Sequence, residues 1–263
     1  MSSRRQRQAG GAVRRSPASY RDLSQRVVYV ATEGARTEQD YVKLLNDVYA
    51  RDNGFFLRFC PHPDRNGLRP KEVVETVVEA ARGTGAEMWA LFDRDSGDKT
   101  AQEIRDAMRL AARHGVQVAL SHPSFELWLL LHFQQHTSPE NGRNAVVIDK
   151  LRRHPDADGY ADYDTQSGDR GKSLGGRRGQ ALLRREGTAI RNARALVRQC
   201  PHPHGGCSAR GLTVVPIPEP NEPYDAWTRR TGHALGCDPA ERDPSSDVWR
   251  LLVSLGIGAD ESR

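Results

Sequence analysis

Residues 88–95 read Met88-Trp89-Ala90-Leu91-Phe92-Asp93-Arg94-Asp95, five apolar residues that end in two carboxylates separated by one position. The apolar run has the length and composition of a strand buried on both faces. Alternate residues of an extended chain point the same way, so Asp93 and Asp95 can both face one divalent cation at the strand's end. What surrounds this segment sets the fold.

Upstream, Val27-Val28-Tyr29-Val30-Ala31 is a second continuous apolar run, and it stops at Thr32-Glu33-Gly34. Thr37 is a credible N-cap, with Glu38 and Asp40 in the first turn and Tyr41, Leu44, Leu45 and Val48 on one helical face. Phe55 to Phe59 reads as a short strand. Pro70 opens a helix bearing Val73, Val74, Val77 and Val78, and Gly83 and Gly85 end it. Downstream, a helix around Ile104, Ala107, Met108 and Ala111 is closed by Gly115, and Val116 to Leu120 is a fourth strand. Ser124 to Phe133 is an apolar helix entered through Pro123. Four strands alternating with three helices predict an α/β core, its four-stranded, mostly parallel sheet covered by helices on both faces.

Three regions are expected. Residues 1–25, rich in Arg, Ser, Gly and Gln, read as a disordered basic tail. Residues 26–135 form the core. Residues 136–263 form a helical and loop-rich extension packing on it, with a short helix at Val146 to Leu151, one helix over Gln180 to Gln199 and a last helix at Val248 to Leu255. Residues 200–245 are rich in Pro, Gly and His.

The 263-residue chain carries a formal charge of +5, and a mean hydropathy of -0.70 makes it polar for a globular protein. Lysine occurs only at 43, 71, 99, 150 and 172, so the positive charge is almost all arginine, which suits phosphate contacts. Four cysteines with no disulfide-framework spacing predict a reducing cytoplasm. The arginines near the N-terminus are followed by no apolar signal region, and no run approaches a membrane span. No feature specifies an oligomeric state.

In an open parallel sheet, ligands bind beyond the carboxyl ends of the strands. Glu33 ends the first strand, Asp93 and Asp95 end the third, and Glu126 follows the fourth, so all four acids fall on one edge. Each also has an ordinary reading: a turn residue for Glu33, a helix cap for either aspartate, a dipole partner for Glu126. Glu126, however, sits among Phe125, Leu127, Trp128 and Leu129, where an ionised carboxylate needs a partner or a metal. Together the four favour a metal site. Phosphatases of the haloacid-dehalogenase type carry D-x-D after the first strand, and receiver domains pair their acids there, so neither pattern matches.

A first-strand Glu-Gly followed by a third-strand D-x-D resembles the Toprim pattern of topoisomerases, primases and OLD-type nucleases. Thr32-Glu33-Gly34-Ala35-Arg36-Thr37-Glu38-Gln39-Asp40-Tyr41 is similar to the E-G-x-x-T-E-x-x-Y opening of the RloB family, encoded near restriction loci and resembling abortive-infection components. Phe92-Asp93-Arg94-Asp95 resembles its F-D-x-D. Ser121-His122-Pro123-Ser124-Phe125-Glu126-Leu127-Trp128-Leu129-Leu130-Leu131-His132-Phe133 resembles its S-N-P-x-F-E-x-W-L-x-L-H-F, with His122 in place of Asn. Asp243-Pro244-Ser245-Ser246-Asp247-Val248 resembles an N-P-S-T-x-V ending. The likeness runs from about residue 27 to 252, leaving out the tail and the region around 200–240. It implies a Toprim-like nuclease that uses Mg²⁺ or Mn²⁺ in phage defence, with a separately encoded ATPase as a candidate partner. Asp93 and Asp95 would be ligands, Glu33 would complete the shell or move a proton, and Glu126 would be a second ligand or an orienting group. His122 and His132 are candidates for proton transfer, against a purely structural reading.

Nucleic-acid contacts are expected from Arg36, Arg94, Lys172, Arg184, Arg191, Arg194 and Arg198. Of these, Arg184, Arg191 and Arg198 recur every seven residues on the helix expected over 180–199, opposite its apolar face. Arg170, Arg177 and Arg178 add charge before that helix, and a solvated face is the competing explanation. Gly168-Asp169-Arg170-Gly171-Lys172-Ser173 fails as a P-loop, since Gln166 replaces the first glycine. Cys200, His202, His204 and Cys207, echoed by Cys60-Pro61-His62, are zinc-ligand types, but the spacing fits no standard knuckle and a surface loop is preferred to a structural Zn²⁺. A metal-dependent nuclease is therefore expected. The alternative is a non-catalytic subunit that binds nucleic acid or an ATPase; a nucleotidyl transferase lacks any nucleotide-positioning motif.

Overall fold

The computed structural model describes residues 25–61, 67–95, 97, 99–165, 171–200, 206–210, 212, 214 and 218–258. The N-terminal basic tail, Arg170, the rejected P-loop's start, His62, His202 and His204 lie outside the described residues.

The elements run β1 (Arg26–Thr32), α1 (Thr37–Asn53), β2 (Phe55–Phe59), α2 (Pro70–Ala80), β3 (Glu87–Asp93), α3 (Ala101–His114), β4 (Gln117–His122), α4 (Phe125–Leu131), α5 (Ala145–Arg153), α6 (Arg177–Leu182), α7 (Glu186–Arg198), α8 (Tyr224–Arg229), β5 (Ser245–Ser246) and α9 (Val248–Ser254). Strand order is β2-β1-β3-β4-β5, with β1 to β4 parallel and β5 antiparallel to β4. The fold is α/β with a mixed, mostly parallel sheet, which has five strands among the described residues where four are expected. The fifth is two serines: Ser246 pairs with Ser121, and Asp247 N–H donates to Leu120 O at 2.8 Å. Neither length nor hydrophobicity marks so short a polar strand.

The apolar strands bury both faces, as their unbroken runs require. Val28, Val30, Trp89 and Leu91 share one core with α1, α4, α5, α7 and α9. Tyr29, Ala31, Ala90 and Phe92 share the other with α2 and α3. This alternation positions the site. Asp93 has the parity of Trp89 and Leu91, so it belongs to the face covered by α1 and α4.

Local signals place the helices. In α3 the Thr100 hydroxyl accepts from Glu103 N–H at 3.2 Å while the Glu103 carboxylate accepts from Thr100 N–H at 2.8 Å, a reciprocal cap. The cap of this helix is therefore Thr100, and both aspartates of 93–95 are left for other work. Gly115 closes α3 with a left-handed φ of 65°. Thr37 does not cap α1; it is the first helical residue, and its hydroxyl meets Tyr163 Oη at 3.1 Å and donates to Lys172 O at 3.1 Å.

The single helix expected over 180–199 is two, α6 and α7, because the chain turns at Leu183 to Arg185. Arg184 takes a positive φ of 64°, and tertiary contacts hold the break. Tyr49 Oη donates to Glu186 Oε1 at 2.7 Å at the start of α7, and the Arg185 guanidinium lies 5.3 Å from the Phe133 ring centre. No helix among the described residues is long and apolar enough to cross a membrane.

Candidate metal-binding cleft

Glu33, Asp93, Asp95 and Glu126 all line one cleft of about 370 Å³ at the carboxyl edge of the sheet. Glu33 follows β1, and its carboxylate crosses to β3, where Oε2 accepts from Asp93 N–H at 3.0 Å. Its other oxygen pairs with Lys99 Nζ at 2.6 Å. Asp93 Oδ2 accepts from the backbone N–H of Phe125, the first residue of α4, at 3.0 Å. Asp95 Oδ1 accepts from Gly97 N–H at 2.9 Å. Glu126, on the buried first turn of α4, accepts from Tyr163 Oη at 2.9 Å and has Lys172 Nζ at 3.6 Å.

Glu38, Lys99 and Asp164 also line the cleft, and the sequence alone marks none of them as part of it. By sequence Glu38 is a first-turn acid of α1. Its signal was Gly34: a Cβ there would stand 2.5 Å from Glu38 Oε2, so the glycine makes room for the carboxylate. Lys99 was one of only five lysines in an arginine-rich chain. Lys172, read as a nucleic-acid contact, is at the cleft and also lies 3.8 Å from Asp164.

Burial pushes the Asp93 carboxyl well above the usual carboxylate range, and nearby Glu33 and Glu38 push it further. The same causes, burial first and then Glu126 and Glu33, raise Glu38 to about 7. Burial alone would pull the Lys99 ammonium down, but Glu33 and Asp93 more than reverse it, and its pKa is raised. Lys172 behaves likewise through Glu126 and Asp164. Among the described residues that line it, six carboxylates against Lys99, Lys172 and Arg36 leave the cleft short of positive charge.

Neither candidate histidine lines the cleft. His122 is buried with Nε2 3.7 Å from Asp243, and burial lowers its pKa. His132 Nδ1 meets Trp128 O at 2.9 Å and Nε2 meets Tyr41 Oη at 3.2 Å, while burial brings it down to about 4. It is a neutral core residue at pH 7. Arg36 lines the cleft, whereas Arg94, Arg184, Arg191, Arg194 and Arg198 do not. Arg94 instead donates from Nη1 to Lys99 O at 2.6 Å, which fixes the loop carrying Lys99. Arg194 packs its guanidinium 4.7 Å from the Trp249 ring centre. Arg184, Arg191 and Arg198 are exposed, but Arg184 sits in the turn before α7, so the seven-residue stripe is not continuous on one helix.

An α/β protein with convergent acids beyond a parallel sheet edge is the class that these features define. The family model for RloB-like proteins matches residues 28–215, and the chain belongs to that family. The match reaches past residue 200 and stops short of the Asp243-Pro244-Ser245-Ser246 stretch. No curated protein and no solved structure matches the chain.

Proposed function

We propose that this chain is a divalent-metal-dependent nuclease acting in antiphage defence, with the acidic cleft as its active site. The observation that carries the reading is the convergence of Glu33, Glu38, Asp93, Asp95 and Glu126 around one cavity. The donor set consists of hard carboxylate oxygens, the type that Mg²⁺ and Mn²⁺ take. Asp93 and Glu38 are held toward protonation by burial and by their acidic neighbours, a strain that a divalent cation relieves.

Asp93 and Asp95 would hold the ion, with Glu33 and Glu126 completing or orienting its shell. An ion held by these carboxylates would supply an acidified water and charge stabilisation for the phosphoryl group. Lys99 pairs with Glu33, and Tyr163 fixes Glu126 by its hydrogen bond. Lys172 and Arg36 can meet substrate phosphate. The exposed Arg184, Arg191 and Arg198 can track the backbone of DNA or RNA further out. Acids after β1 and β3 on a parallel sheet edge support a Toprim-like reading. That RloB-family proteins are encoded near restriction loci and resemble abortive-infection components supports the defence role and an ATPase partner, and the few cysteines without disulfide-framework spacing support a cytoplasmic location.

The test is a cleavage screen over DNA, messenger RNA and transfer RNA with Mg²⁺ or Mn²⁺, using the chain alone and with its neighbouring gene products. Metal-dependent cutting that Asp93→Asn abolishes is expected; undiminished cutting by that variant rules the cleft out. One observation favours a second reading, a non-catalytic subunit that binds nucleic acid or an ATPase. Lysines already pair with Glu33 and Glu126, and in that reading the ammonium groups stand where a metal ion would.

A further inference from the structure

Four soft ligand residues far apart in the chain meet at one point. The metal-facing atoms of Cys200, Cys207, His233 and Cys237 all lie within 4.8 Å of one another. Cys200 Sγ is 3.4 Å from Cys237 Sγ, and His233 Nδ1 is 3.5 Å from Cys237 Sγ. A tetrahedral zinc with Zn–S near 2.3 Å and Zn–N near 2.0 Å sets its ligand atoms about 3.5–3.8 Å apart, so the two contacts of Cys237 already have about that spacing and the remaining separations, all within 4.8 Å, need at most small side-chain shifts. We infer that Cys200, Cys207, His233 and Cys237 form a structural Zn²⁺ site. The surface loop preferred from sequence is replaced by a gathered ligand set, with His233 and Cys237 as the partners of Cys200 and Cys207. Cys60 is not among them; it is buried in the core beneath α2 and α3.

The backbone around the cluster is built to hold it. His233 and Cys237 flank a tight turn in which Cys237 N–H donates to Ala234 O at 3.0 Å and Gly236 takes a φ of 80°. From the same turn, Ala234 N–H donates to Cys207 Sγ at 3.2 Å, the kind of bond that favours a thiolate. Ser208 N–H donates to Gly232 O at 2.7 Å, which ties the segment bearing Cys207 to the segment bearing His233. Gly232 is required for that approach, because a Cβ there would lie 2.9 Å from Ser208 O.

Charge and polar satisfaction point the same way. Three thiolates and a neutral imidazole around Zn²⁺ carry one net negative charge. Arg242, 1% exposed, donates to Cys237 O at 3.2 Å and has the buried Asp247 carboxylate 3.9 Å from Nη1, while its Nε finds no hydrogen-bond partner among the described residues. A zinc thiolate centre beside this guanidinium would add a second compensating negative charge to that long ion pair.

The site also explains a loop-rich segment between two packed faces. Cys200 follows α7, which belongs to the core on one face of the sheet. His233 and Cys237 follow α8, whose Trp227 is buried in the opposite core and donates to Val116 O at 3.2 Å. Asp238, next to Cys237, pairs with Arg105 of α3 at 2.5 Å. Zinc would staple the two faces together around the β4 edge and fix the approach to β5. It is separate from the acidic cleft and does not depend on the nuclease reading.

Metal analysis of the full chain, purified without chelator, tests this. One zinc per chain is expected, released when the thiols are blocked. Asp93→Asn and a double His202→Ala, His204→Ala variant should both keep it, whereas Cys237→Ser and His233→Ala should lose it. If those last two variants fail to fold, Co²⁺ exchanged into the wild-type chain carries the test. Tetrahedral ligand-field bands with sulfur-to-cobalt charge transfer are expected. A zinc-free chain that takes up neither ion, a Cys200–Cys237 disulfide, or a cobalt spectrum without sulfur ligation would overturn the site.

Discussion

The backbone N–H of Phe125 donates to Asp93 Oδ2 at 3.0 Å, so the first residue of α4 is tied to the carboxylate that ends β3. This bond sets the acid of the D-x-D against the helix that carries Glu126. Asparagine can still accept it, while alanine cannot.

Asp93→Asn should therefore fold, and in metal-free protein it should be more stable than wild type. The carboxyl is held well above its usual range by burial and by Glu33 and Glu38, and asparagine, with nothing to ionise, escapes the cost of burying a charge or of taking up a proton there. Asp93→Ala leaves the Phe125 amide without its acceptor and should cost about 1–3 kcal/mol relative to Asp93→Asn. Urea unfolding of both variants in chelator checks the order. Wild type more stable than Asp93→Asn would contradict the electrostatic picture.

Lys99→Gln strips the counter-charge from Glu33, with the lysine side chain 3% exposed and its partner 18%. A loss of about 2–4 kcal/mol is expected, at the lower end for breaking a buried pair because Glu33 keeps some solvent. Mn²⁺ should then raise the melting temperature more than it does in wild type, since the metal no longer competes with an ammonium group. A variant as stable as wild type, or one with weaker Mn²⁺ binding, would show that Lys99 does not guard this carboxylate.

Gly34→Ala should separate function from folding. Its new methyl meets the far end of Glu38, which can move aside at small cost. Stability should change by less than about 1 kcal/mol, whereas Mn²⁺ affinity or cleavage should fall several-fold. An unaltered site would mean that Glu38 takes no part.

Two groups give opposite pH dependences. His132 is lowered from 6.5 to about 4 by burial, so the unfolded chain binds the extra proton between those values. Its contribution is present above pH 6.5 and is lost as pH falls toward 4, by up to about 3 kcal/mol. Glu38 is raised from 4.5 to about 7; its contribution is present below pH 4.5 and is lost as pH rises through 7. In metal-free protein, His132→Gln should flatten the acid side of the stability profile, and Glu38→Gln should flatten the fall from pH 5 to 8. Profiles parallel to wild type would contradict both assignments.

Much of this fold is legible in the chain. The apolar runs at 27–31, 55–59, 88–92 and 116–120 are all strands, because strands buried on both faces show no alternation. Their carboxyl ends then place Glu33, Asp93, Asp95 and Glu126 on one edge. Ser245 and Ser246 were not legible as a strand, since two polar residues pair only because β4 lies beside them. The break at Arg184 was hidden because Leu182 and Leu183 continue a helical pattern, and the contacts of Tyr49 and Arg185 that enforce it are tertiary. For the same reason spacing alone could not join Cys200 and Cys207 to His233 and Cys237.

Calorimetric titration of Mn²⁺ into the wild-type chain and Asp93→Asn most directly tests whether the cleft is a metal site. Saturable binding to wild type, lost in Asp93→Asn, is the predicted result. A silent wild-type titration, or equal binding by the two proteins, would contradict it.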